Sequence, residues 1–144
     1  VTATNQAIIS ESFQKLGIVS EGRAPTPTQS ANGLTILNDN MFTNMRDGWG
    51  NIGWYPQIPA MLNSNAPVKD EDIADVKLML AAWIAPHYGV TVASSPDPDD
   101  QSVLGNQIKS AFRRMNKRYL KYADSDLGEL SRPSGGLYGG SLWW

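Results

Sequence analysis

Apolar residues recur at three- and four-residue spacing along four stretches of this chain, and breaks rich in proline and glycine separate them. That pattern commits most of the sequence to amphipathic helices, which bury one face and wet the other. A chain of 144 residues has room for one core of modest size. The expected fold is therefore all-α, a four-helix bundle.

The first stretch, residues 3–16, sets Ile8, Ile9, Phe13 and Leu16 at helical spacing, with Thr2 or Thr4 as a cap. Gly17 suits the left-handed position that follows, and Ile18 can fold back on Phe13 in a Schellman stop. The second helix has the clearest start: Thr26 as cap, Pro27 at the first helical position and Gln29 closing a capping box. Ala31, Leu34, Leu37, Met41 and Met45 mark its apolar face to about residue 47. Gly33 weakens this helix by roughly 1 kcal/mol relative to alanine, unless it permits a close helix crossing.

The third helix opens at Asp70, with Glu71 and Asp72 at the positive end of its dipole. Ile73, Val76, Leu80, Trp83, Ile84 and His87 lie along one side; Pro86 should loosen the last turn and Gly89 end it. The fourth is expected to start at Asp97-Pro98-Asp99-Asp100 and run to Ala123, a long helix of roughly 40 Å. Its apolar face carries Leu104, Ile108, Ala111, Phe112, Met115, Tyr119 and Tyr122. The core should gather Ile9, Phe13, Leu37, Met41, Leu80, Trp83, Ile84, Leu104, Ile108 and Phe112.

Two segments have no helical period. Residues 48–69 form an aromatic-rich connector between helices two and three, with Trp49, Trp54, Tyr55, Ile58 and Met61 set among prolines and glycines. Segments this long are often functional, so Trp49, Trp54 and Tyr55 are expected to pack or to bind something. Residues 124–144, rich in Gly, Ser and Pro, read as an extended C-terminal arm following a helical domain of residues 1–123. Leu137, Tyr138, Leu142, Trp143 and Trp144 have no core of their own there. Aromatic groups anchor interfaces, so these five are expected to bind a partner.

The formal net charge of −2 argues against a dedicated nucleic-acid binder. Without cysteine there is no disulfide, thiolate metal site or cysteine nucleophile. No apolar run approaches the roughly 20 residues that span a bilayer. Residues 2–17 are amphipathic, not a charged head and apolar block, so no signal peptide is expected. Phosphate-binding loops, dinucleotide fingerprints and nucleophile elbows are absent. His87, the only histidine, stands at a helix end, where histidine is ordinary. The acidic clusters at Asp70/Glu71/Asp72 and Asp97/Asp99/Asp100 fall at helix starts, where the dipole accounts for them. No catalytic, cofactor-binding or metal-binding residue is expected, and the chain reads as no enzyme.

One charge pattern stands out. Lys109, Arg113, Arg114, Lys117, Arg118 and Lys121 hold half of the 12 Lys and Arg residues. Lys109, Arg113, Lys117 and Lys121 are four apart and share a face. Such a face suits DNA phosphates or an acidic partner, or is the solvated back of the helix.

Taken in chain order, several segments resemble the tail accessory or head-completion adaptor family of short-tailed and related bacteriophages. These are the opening helix closed by Lys15-Leu16-Gly17, and Thr26-Pro27 followed by Gly33-Leu34-Thr35-Ile36-Leu37-Asn38-Asp39-Asn40-Met41. The aromatic stretch 49–56 and Leu80-Ala81-Ala82-Trp83-Ile84-Ala85-Pro86-His87-Tyr88-Gly89 complete the match, which spans about residues 5–123. The resemblance implies a structural virion protein at the neck, made in the host cytoplasm. By that resemblance it would be a head-to-tail adaptor that forms a ring of about twelve copies below the portal, extends the DNA channel and joins capsid to tail. Its implied partners are the portal protein, copies of itself, a downstream tail or nozzle protein, and packaged DNA passing without sequence-specific contact. Cofactors and membranes play no part in this reading. The arm would reach the portal or a neighbour, and the connector would face neighbouring subunits or tail parts. The basic face lies outside the shared pattern; it is expected at the channel or a subunit boundary. The rival reading is a small helical DNA-binding protein using the basic face of helix four. A virion-associated hydrolase would need an acid/base pair that the sequence does not offer.

Overall fold

The structure, a computed structural model, describes residues 3–50 and 52–120, the side chains of 45–47 apart. Its four α-helices are α1 (Asn5–Lys15), α2 (Pro27–Asp47), α3 (Ile73–Ile84) and α4 (Leu104–Tyr119). Short 3-10 turns occupy Pro59–Met61, Asp70–Asp72 and Ala85–Tyr88. Among the described residues there is no sheet, only isolated bridges between Thr4 and Asn65 and between Trp49 and Leu120.

The helix ends follow local chemistry. Thr4 caps α1 by accepting the Ala7 N–H at 3.1 Å. Gly17, at φ 74°, lets its own N–H reach Gln14 O and that of Ile18 reach Phe13 O, which is the Schellman pattern. Thr26 and Gln29 make both bonds of the capping box, at 3.2 and 2.9 Å. Pro86 converts the end of the third helical segment into the turn Ala85–Tyr88, and Gly89 closes it at φ 66°.

The most apolar helix, α3, is the hub: it packs against α1, α2 and α4. Its Val76, Met79, Leu80 and Ile84 have no exposed surface. At Gly33 of α2 a Cβ would lie 2.7 Å from Ile9 Cγ2 and 3.2 Å from Phe13 Cε2, so the glycine serves the close crossing of α1 and α2. Ile9, Phe13, Leu37, Met41, Leu80, Ile84 and Ile108 are buried as expected. Trp83, Leu104 and Phe112 only line the edge of the core, where the Trp83 and Phe112 rings meet edge to face at 5.8 Å.

The fourth helix departs from expectation. It spans 16 residues, roughly 24 Å, and α2 with 21 residues is the longest of the four. The acidic run 97–100 makes turns instead of a helix start: Asp97 accepts the Asp99 N–H and Asp100 the Ser102 N–H, each at 3.0 Å. Asn106 fastens this loop by donating to Asp97 O and Asp100 O at 2.8 and 2.9 Å. The Gly105 N–H, one of the orphan donors of the first helical turn, reaches Ala93 O at 2.8 Å. Only glycine permits that approach, since a Cβ would lie 2.3 Å from the same oxygen. Helix four therefore begins where the loop docks, six residues later than the sequence suggested.

The segment between α2 and α3 is packed and largely non-helical. Trp49, Ile52, Trp54, Gln57, Ala66 and Val68 are all buried. Asn38 of α2 pairs with the Gln57 backbone through both its amide groups, at 2.6 and 2.8 Å. Asn5, fully buried, donates to Gln57 Oε1 and Met61 O. The first N–H groups of α1, on Asn5 and Gln6, reach Ser64 O and Leu62 O. The segment thus satisfies the N-terminus of one helix while supplying apolar side chains to the core.

Candidate functional site

Two rows of cations run along α4, and their neighbours separate them. Ala111, Met115 and Tyr119 form its buried stripe. Arg114 and Arg118 stand next to that stripe and turn inward to α3. Arg114 Nε and Nη2 donate to Asp75 Oδ1 at 3.0 and 2.6 Å. Arg118 spans two carboxylates, with Nη1 3.0 Å from Asp72 Oδ1 and Nη2 bonded to Asp75 Oδ2. The Tyr119 hydroxyl donates to Asp72 Oδ2. Asp72 has no exposed surface and Asp75 almost none. Burial first, and then the Asp72 carboxylate, push the Tyr119 phenol up to about 12, so it stays a donor at neutral pH. Lys69 sits over the Tyr119 ring at 5.5 Å. This cluster clamps α4 onto the start of α3.

The other row differs. Lys109, Arg113 and Lys117 are exposed, and no acidic side chain among the described residues pairs with them. Four residues of helix separate successive members, a step of about 6 Å along the axis. Lys109 and Arg113 border a groove of about 300 Å³ closed by Ser95, Pro96, Pro98 and Asn106. Of the six cations singled out in the sequence, then, Arg114 and Arg118 belong to the internal clamp, and three remain available to a partner. Lys121 lies outside the described residues.

The aromatic candidates also separate. Trp49 and Trp54 are each only 4% exposed. The Trp49 indole donates to Asn116 Oδ1 of α4 at 2.8 Å, and the Gly50 N–H bonds Tyr119 O. Both tryptophans serve their own core, so a contact role for them to a neighbour or tail part would require the segment to open. Tyr55 is 56% exposed, and Phe42 and Ile58 join it at 61% and 53%. Sequence reasoning missed Phe42, although its position beside Met41 puts it off the apolar face of α2. Leu137, Tyr138, Leu142, Trp143 and Trp144 lie outside the described residues.

His87 is exposed in its turn. Among the described residues no three His, Asp or Glu side chains are grouped to hold a metal ion. No helix among them is long and apolar enough to cross a membrane. Compared with protein-family models, with curated proteins and with solved structures, the chain matches none of them.

Proposed function

We propose that this chain is a non-enzymatic head-to-tail adaptor of a tailed bacteriophage, assembling as a ring below the portal and joining capsid to tail at the neck. The observation that carries the reading is the ordered series of segments that resemble that adaptor family. Their fit to local structure supports it. The Lys15-Leu16-Gly17 stop ends α1, the Thr26-Pro27 start opens α2, and Leu80 to Gly89 forms the end of α3 and its closing turn. Tyr55, the exposed aromatic residue of the connector, and the arm 124–144 supply the contacts of the proposed assembly, the arm to the portal or a neighbouring copy. Lys109, Arg113 and Lys117 face the channel or a subunit boundary in this reading. Co-sedimentation with purified portal rings of the corresponding phage tests it: saturable binding is expected, and no binding at any concentration overturns it.

The second reading, a helical DNA-binding protein, is favoured by one observation, the exposed row on α4 that no acidic side chain among the described residues pairs. Neutralising three phosphates would give the isolated chain a log affinity that falls against log salt with a slope of about −2.7. A flat or absent response removes that reading.

A further inference from the structure

Phe42, Tyr55 and Ile58 are the only large apolar side chains among the described residues that are more than half exposed. The stretches that carry them meet at one junction. Asn38 holds the Gln57 backbone by two hydrogen bonds. Phe42 lies one turn beyond Asn38 on the same side of α2, while Tyr55 and Ile58 flank Gln57. The result is an apolar patch on the outer side of the junction between α2 and the segment that follows it. Isolated exposed apolar groups are ordinary; three on two stretches joined at one junction offer a surface for a partner.

The chain itself carries a matching occupant. The described part ends at Leu120, paired with Trp49 just past the end of α2. The sequence continues for 24 residues and finishes Leu142-Trp143-Trp144. The stretch from Leu120 to Leu137 extends at most roughly 55 Å, enough to reach another molecule of this size. A patch and the apolar part of an arm are two unlike surfaces of one molecule, and contacts between unlike surfaces are the kind that generate rings.

We infer that the patch formed by Phe42, Tyr55 and Ile58 receives the apolar end of the arm, residues 137–144, from a second copy of this chain. This inference rests on the ring reading above and gives that ring one of its subunit contacts. Aromatic groups on both sides provide the buried anchors such a contact needs.

The test uses full-length protein in sedimentation velocity over a range of concentrations. The patch variant carries Phe42→Gln, Tyr55→Ser and Ile58→Thr; the arm variant replaces Leu142, Trp143 and Trp144 by serine. Wild type should associate as concentration rises, and each variant alone should associate at least tenfold more weakly with unchanged helical circular dichroism. Mixed together, the two variants should form a complex, because one keeps the arm and the other the patch. A mixture that stays monomeric overturns the inference, as does a patch variant that associates like wild type. Wild type that stays monomeric, with cross-links from the arm to its own patch, overturns it too. Portal binding is scored separately, so a chain that binds portal rings without self-association ends this inference and leaves the adaptor reading standing.

Discussion

Arg118 Nη1 lies 3.0 Å from Asp72 Oδ1, and Asp72 has no contact with solvent. A buried carboxylate is tolerated only when it is paired and hydrogen bonded, so this arginine is part of the fold. It joins residues 46 apart in sequence, one in the 3-10 turn that leads into α3 and one on α4. The same helix, one turn and one residue earlier, carries Arg113 with no such partner among the described residues.

Arg118→Met keeps much of the stem and removes the charge, leaving Asp72 with Tyr119 as its remaining partner. It should lower unfolding free energy by about 3 kcal/mol in urea titrations. Arg113→Met should stay within about 0.5 kcal/mol of wild type, as surface substitutions do. Equal effects at the two positions would contradict the division of α4 into an inner and an outer row.

Tyr119 gives a pH dependence with a definite sign. Its phenol is raised from 10.0 to about 12, so the folded chain holds that proton more tightly than the unfolded chain does. The stabilisation is complete below about pH 10 and is lost as pH rises to about 12, on the order of 2–3 kcal/mol in all. Unfolding measured across that window should show a shallower decline for Tyr119→Phe than for wild type. Parallel declines would mean that folding does not raise the phenol.

Gly33→Ala sets two effects against each other. Alanine gains about 1 kcal/mol in helix propensity over glycine. Its Cβ would stand 2.7 Å from Ile9 Cγ2, a methyl of a fully buried, branched side chain that cannot swing away. Overpacking of this kind costs about 1–3 kcal/mol, so the variant should be less stable by about 1 kcal/mol, read by thermal unfolding. A stabilised variant would show that α1 and α2 do not cross so closely.

Helix ends were legible because they depend on residues a few positions apart. The stop at Gly17, the capping box at Thr26 and the turn closed by Gly89 all follow from local spacing. The start of α4 was misread because the acidic run near Asp97 is a good helix opening by itself; a loop docking through Asn106 and Gly105 overrides it. The roles of Trp49 and Trp54 were hidden because they depend on contacts with Asn116 and the core, far away in sequence. The clamp left a trace that went unread. Asp72 and Asp75 share a helix face with Val76 and Met79, and Arg114 and Arg118 flank Ala111 and Met115. Carboxylates on the buried face of one helix, with arginines beside the buried face of another, ask to be paired.

Electron microscopy of portal rings incubated with the full-length chain tests the adaptor reading most directly. It predicts an added ring of density on one face of the portal, with the symmetry of the portal and a channel on the same axis. Portal rings that remain bare, at protein concentrations far above saturation for an adaptor, would contradict it.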